Sequence, residues 1–182
     1  IAALAEVALK NPRELASFET QFISGKIEGW TKLLEGAWSL KDRARSLQLT
    51  FVNLSGQDVY IEDTYFDSGT WYRSWPPVIG PGMIAQGTVA NRQGSWFTGV
   101  TGGMRLKING ACFAYIGFNN PYIGGYKNYG ELAWFWKYPR YGYDQSENNN
   151  PKLSYNCGYK LTVQQIPSEI AQMDFLFTLQ TA

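Results

Sequence analysis

From Ser46 onward the chain alternates apolar and polar residues in short runs, and turn formers break the runs apart. Leu47, Leu49 and Phe51 alternate with polar neighbours before the turn Asn53-Leu54-Ser55-Gly56. Val59-Tyr60-Ile61 resumes the pattern, and Met104, Leu106 and Ile108 alternate before Asn109-Gly110. Residues 111–118 form an apolar run, and Met173, Phe175, Phe177 and Leu179 alternate near the end. A period of two puts every second side chain on one face of a sheet. Asn-Gly between such runs is a strong hairpin signal. Many short strands with frequent turns predict a mainly β fold, a β-sandwich of two antiparallel sheets.

The first 45 residues follow a different pattern. They hold 13 charged residues, against 18 in the remaining 137. Asn11 can cap a helix, Pro12 suits its first position and Glu14 its third. Behind them Leu15, Phe18, Phe22, Ile23, Ile27, Trp30, Leu33, Leu34, Ala37 and Trp38 recur at three- and four-residue spacing. That spacing makes one apolar stripe, opposite a face with Glu19, Lys26, Glu28, Lys32 and Glu35. The 24 residues from Leu15 to Trp38 would span roughly 36 Å as a helix. Gly25, Gly29 and Gly36 each cost about 1 kcal/mol in a helix interior. A helix so interrupted is one the resting protein does not need complete. The sequence thus divides into an amphipathic helical region over 1–45 and a β-sandwich over 46–182.

Composition narrows the chemistry. The chain of 182 residues has a net charge of +1, which gives no pull toward nucleic acid. There is no histidine, so Ser-His-Asp and Cys-His catalysis and His-ligated metals are excluded. The two cysteines, Cys112 and Cys157, fit no zinc motif. The apolar neighbours Ala111 and Phe113 favour buried free thiols, with a long-range disulfide as the alternative. No run reaches the ~18 apolar residues of a membrane span. Glu62, Asp63 and Asp67 lie close together, but no catalytic motif frames them, so the reading is of a protein without cofactor, metal site or enzymatic activity.

Aromatics make up 16% of the chain, and many fall in segments that read as loops. The stretch from Pro121 to Gly130 is Gly-rich and carries Tyr122, Tyr126 and Tyr129. A second stretch, from Asp67 to Pro77, carries Trp71, Tyr72 and Trp75, and Pro76-Pro77 blocks strand pairing there. Rings on loop tips suit a membrane interface, so Trp71, Tyr72, Trp75 and Tyr122 are expected to contact a membrane. They would also suit the faces of sugars.

The order of short motifs resembles that of the actinoporins, the pore-forming cytolysins of sea anemones. The likeness runs through the amphipathic helix, Asn53-Leu54-Ser55-Gly56, Thr64-Tyr65-Phe66-Asp67-Ser68-Gly69-Thr70 and the prolines at 76, 77 and 81. It continues in Thr98-Gly99-Val100-Thr101-Gly102, Phe118-Asn119-Asn120-Pro121-Tyr122 and Gly158-Tyr159-Lys160-Leu161. The resemblance implies a sandwich flanked by helices, secretion, and lipid binding followed by homo-oligomerisation on a target cell membrane. It implies that the N-terminal helix then enters a pore, with Leu15, Glu19, Phe22, Lys26, Trp30 and Leu34 along its wall. It places the family's phosphocholine or sphingomyelin headgroup at Ser68, Thr101 and Pro121. Tyr138, Tyr141 and Tyr143 fall near the family's tyrosine cluster, and Tyr126 or Tyr129 supplies a further wall. Lys127 and the missing loop tryptophans depart from the family pattern, and Lys127 implies a preference for the phosphate over the choline. The alternative function is carbohydrate binding, since fungal fruit-body lectins resemble actinoporins in fold.

Overall fold

The computed structural model describes residues 43–95, 97–146, 153–168 and 171–182. The expected helix over 15–38, with Leu15, Glu19, Phe22, Lys26, Trp30 and Leu34, lies outside the described residues. The strands are β1 (Ser46–Leu54), β2 (Val59–Ser68), β3 (Thr70–Arg73), β4 (Val78–Ile79), β5 (Ile84–Ala90), β6 (Val100–Ile108), β7 (Cys112–Asn120), β8 (Lys127–Ala133), β9 (Leu153–Asn156), β10 (Tyr159–Ile166) and β11 (Asp174–Thr181). Among the described residues one short helix, α1 (Tyr141–Ser146), stands between β8 and β9.

The strands form the expected sandwich. One sheet has the order β3-β5-β1-β11-β10-β9 and the other β4-β2-β6-β7-β8. Pairing is antiparallel except between β1 and β11, which run parallel at the middle of the larger sheet. Those two are the first and last strands, so no short connection forces them antiparallel. The core lies between the sheets. Leu47, Leu49 and Phe51 of β1 meet Met104, Leu106, Ile116 and Phe118 of the facing sheet and Phe175 and Phe177 of β11. The Asn109-Gly110 hairpin forms as expected. Asn109 takes a left-handed φ of 48°, and its side-chain oxygen accepts the Ala111 N–H.

The free-thiol reading is corrected by a disulfide between Cys112 and Cys157. Cys112 opens β7 on the inner face, and the β9–β10 turn, Cys157-Gly158, arrives from the opposite sheet. Apolar neighbours buried Cys112 as read, but they gave no sign that a second sulfur would be buried beside it. The bridge closes 45 residues of chain. Its loss is expected to cost about 4 kcal/mol. That would lower the thermal midpoint by roughly 8–16 °C, which melting with and without reductant measures. An unchanged midpoint would show that the bridge does not hold the sheets together.

The segment read as an exposed aromatic loop is mostly interior. β3 pairs along β5, with Thr70 opposite Ala90 and Trp71 opposite Val89. Trp75 follows it into the core, 5% exposed, and its indole N–H donates to Leu49 O at 2.8 Å. The reason is Gly87 in β5, where a Cβ would stand 2.9 Å from the Trp75 ring and 3.0 Å from that of Trp71. The missing side chain makes the hole that the tryptophans fill. Trp71 packs edge-on to Phe66 at 6.1 Å, and Tyr72 lies half-buried under the Arg43 guanidinium. Trp71, Tyr72 and Trp75 therefore do not stand out toward a membrane.

Candidate functional site

The register of the smaller sheet brings one polar row together. Ser68 of β2 pairs with Thr101 of β6, Thr101 with Asn119 of β7, and Asn119 with Lys127 of β8. Residues paired across strands share a face. The row therefore crosses four adjacent strands at one end of the outer face, over about 14 Å at ~4.8 Å per strand spacing. It lines a cavity of about 300 Å³, closed on one side by Pro121, Tyr122 and Ile123 and on another by Tyr143.

Two details of the backbone build this cavity. A bulge in β2 sets Asp67 and Ser68 together opposite Thr101, so neighbouring side chains, which normally point apart, both reach it. The second is the seat of α1. Gly103 and Gly117 lie side by side on the outer face. A Cβ on Gly117 would come within 2.2 Å of Gly142 O, and one on Gly103 within 2.7 Å of Tyr143 N. Only glycines let the helix lie this close to the sheet. The seated helix carries Tyr143 to the cavity, where its hydroxyl donates to Asp67 Oδ2 at 3.1 Å. The Tyr65 hydroxyl donates to Asp67 Oδ1 at 3.2 Å.

Two buried polar atoms in this wall lack a partner: Thr101 Oγ1, on a residue 7% exposed, and Asn119 Oδ1, on one 5% exposed. Buried atoms without a protein partner also occur away from the cavity, at Gln48, Thr88, Asn128 and Thr178. Ser68, in contrast, donates its hydroxyl to Gly99 O at 3.0 Å. Arg45 fixes the loop above, donating to the carbonyls of Pro121 and Tyr122 at 3.2 and 2.9 Å. Its guanidinium lies 5.5 Å from the Tyr122 ring centre.

The structure brings Ser68, Thr101 and Pro121 together as expected, and it separates them from four of the expected tyrosines. Tyr126 turns inward, edge-on to Phe175 at 6.4 Å. Tyr129 belongs to β8 rather than to a loop, and it is buried with its hydroxyl on Glu131 at 2.9 Å. Tyr138 and Tyr141 cluster further along the outer face, 5.9 Å apart, and Tyr141 caps Tyr115 at 5.3 Å. Burial pushes the Tyr141 phenol up to about 12 and Tyr129 higher still, so both stay neutral hydrogen-bonding groups. Glu62 and Asp63 hold Arg105 at 3.1 and 3.3 Å, an ion-pair cluster apart from the cavity.

Sequence reasoning missed the exposed apolar residues that do border the cavity. Ile123 is 84% exposed on its wall, and Phe97, 77% exposed, packs edge-on to Tyr122 at 5.5 Å. It also missed the ridge Trp134-Phe135-Trp136, all three exposed. Tyr115 holds that ridge in place, donating to Phe135 O and accepting the Lys137 N–H, while Arg105 lies 4.7 Å from the Trp136 ring centre. A run of three aromatics just before Pro139 was the available signal, since no alternation hides any of them.

No protein-family model and no curated protein sequence matches the chain. In structure it is similar to the lipid binding protein Nakanori. That match has a TM-score of 0.67 and 14% identity over 97% of this chain and 85% of the other. It is also similar to RahU, crystallised with a Tris molecule, at a TM-score of 0.50 and 13% identity over 77% of this chain and 97% of that one. A Xerocomus chrysenteron lectin overlaps with a TM-score of 0.49 and 13% identity over 75% of this chain and 99% of the lectin. At these identities the likeness is one of fold.

Proposed function

We propose that this chain is a secreted, non-enzymatic membrane-binding protein that grips the phosphorylated headgroup of a lipid in the Ser68–Thr101–Asn119–Lys127 cavity. It then assembles with its own copies on the target membrane and inserts the amphipathic segment 15–38 to open a pore. The observation that carries the headgroup reading is the polar cavity of about 300 Å³ lined by Ser68, Thr101, Asn119 and the cationic Lys127. A phosphate in this cavity accepts from the Lys127 ammonium, and charge-assisted hydrogen bonds of that kind are the strong ones. Support for a lipid as the carrier comes from the exposed Phe97 and Ile123 beside the cavity and from the fold shared with a protein described as lipid binding. The pore step is supported by the apolar stripe and its roughly 36 Å reach, enough to cross the ~30 Å of a bilayer core.

Sedimentation with phospholipid vesicles, paired with dye release, tests both steps. A Phe97→Ser/Ile123→Ser double variant is expected to stay folded, because both side chains already face water. Each apolar side chain withdrawn from a membrane forfeits roughly 1.5–3 kcal/mol. The double variant should therefore lose more than tenfold in vesicle affinity. Wild-type affinity in that variant would remove these residues from the membrane contact. Binding to immobilised sugars with none to phospholipid vesicles would favour the carbohydrate reading instead.

A further inference from the structure

We infer that a second, smaller cavity beside the first takes a phosphodiester, the singly charged linkage of a second phospholipid; this rests on the lipid reading above. The cavity lies between the β5–β6 loop, which gives it Arg92, Ser95 and Thr98, and the end of β2, which gives Asp67 and Ser68 to both cavities. Its volume is about 190 Å³. Pockets that bury a whole ligand run to ~300–1,000 Å³, so this one suits a small group.

The loop presents donors. Arg92 and Thr98 are exposed and Ser95 is half-buried, so a ligand can reach all three. Among the described residues their side chains form no ion pair or hydrogen bond with the protein. A guanidinium fork and two hydroxyls together suit the oxygens of a phosphate. The loop is also held from within. Asn91, 2% exposed, accepts the Arg45 N–H on Oδ1 at 3.1 Å and donates from Nδ2 to Ser95 O. The Ser95 N–H donates to Arg92 O at 3.1 Å. Donors fixed in advance lose less freedom on binding.

The charge of the wall selects the ligand. Arg92 brings one positive charge and Asp67, held by the Tyr65 and Tyr143 hydroxyls, one negative charge. A phosphate monoester carries about −1.5 to −2 at pH 7, so its second charge would meet the carboxylate with no further cation in the lining. A diester carries one charge, which Arg92 matches. Phe97, exposed between Ser95 and Thr98 in the chain, sets an apolar side chain beside this cavity as Ile123 does at the first, which makes the diester a lipid's.

The test is equilibrium binding of the full chain to phosphatidylcholine vesicles, which carry no net charge. Arg92→Gln and Lys127→Gln should each weaken binding about tenfold, the scale of one hydrogen bond to a charged group. The double variant should lose about a hundredfold, because losses at separate sites add. Ser95→Ala/Thr98→Ala leaves the net charge alone and should still cost at least about fivefold. Near-ultraviolet circular dichroism should be unchanged in every variant. Nuclear magnetic resonance titration with dimethyl phosphate should shift the Ser95 and Thr98 amides in wild type and in Lys127→Gln but not in Arg92→Gln. Inorganic phosphate should shift them less. Wild-type vesicle affinity in Arg92→Gln, or a double variant no weaker than Lys127→Gln alone, would overturn the second lipid site and leave the first standing. A stronger response to inorganic phosphate would overturn the diester assignment. Weakened binding in Arg92→Gln with wild-type affinity in Lys127→Gln would instead keep the second cavity and overturn the headgroup reading of the first. No vesicle binding by the wild type would overturn both.

Discussion

A Trp75→Ala protein is expected to lose about 4 kcal/mol of stability, and any loss of vesicle binding should follow from unfolding. Removing a fully packed tryptophan costs about 3–5 kcal/mol in transfer and cavity terms. Here the indole also holds Leu49 O, and its ring packs edge-on to Phe51 at 5.6 Å and Phe177 at 6.4 Å. With Gly87 beneath it, the hole cannot be filled by a neighbour's Cβ. Domains of this size are stable by only 5–15 kcal/mol, so the variant keeps a small margin. Urea unfolding followed by fluorescence measures the loss. Unchanged stability together with weakened vesicle binding would return Trp75 to the membrane surface.

The contrast between Trp75 and Ile123 shows what could be read in the sequence. Both sit among prolines and glycines, and both look like residues on a loop. Local composition marks the end of strand pairing, which it did correctly at Pro76-Pro77. It does not say which way the following side chain turns. That direction depends on a missing side chain 12 residues later, at Gly87, and so on a long-range pairing of β3 with β5. The alternating runs of β1, β6 and β11 were legible because burial of one face leaves a period-two record in the chain itself.

The site was legible in the same uneven way. The Asn109-Gly110 turn marks the β6–β7 hairpin, but the loop takes three residues, 109–111, and only that count sets Thr101 opposite Asn119. A two-residue turn at Asn-Gly would have set Phe118 there, so Asn119 was not legible from the hairpin alone. Nor was Tyr143, because it reaches the cavity through the seat that Gly103 and Gly117 make for α1. Asp67 was visible as a carboxylate, but its place in the cavity depends on a bulge in β2 that no pattern announces. Tyr129 was misplaced for a simpler reason. Gly124-Gly125 ends the loop sooner than the polar composition suggests, and β8 begins at Lys127.

Deleting residues 1–40 is expected to abolish dye release while leaving vesicle binding within about threefold of wild type, well under one decade or 1.4 kcal/mol. The binding half of this expectation follows from where the site lies. Every residue of the cavity falls between Asp67 and Tyr143, and the core cluster between the sheets is drawn from Leu47 to Leu179. With the Cys112–Cys157 bridge closed, the truncated chain retains both sheets and the row across β2, β6, β7 and β8. The release half follows from the sequence. The stripe from Leu15 to Trp38 has both the length and the two-faced character to line a pore, with Glu28, Lys32 and Glu35 on the face opposite Phe22, Trp30 and Leu34. A Trp30→Asp substitution in the full chain tests the same point without truncation, because a carboxylate at the centre of a membrane-inserted helix costs about 2.5–3.5 kcal/mol. Release should then fall by more than tenfold at equal bound protein. Full release from the truncated chain would show that the sandwich permeabilises membranes by itself, and would remove the N-terminal segment from the pore.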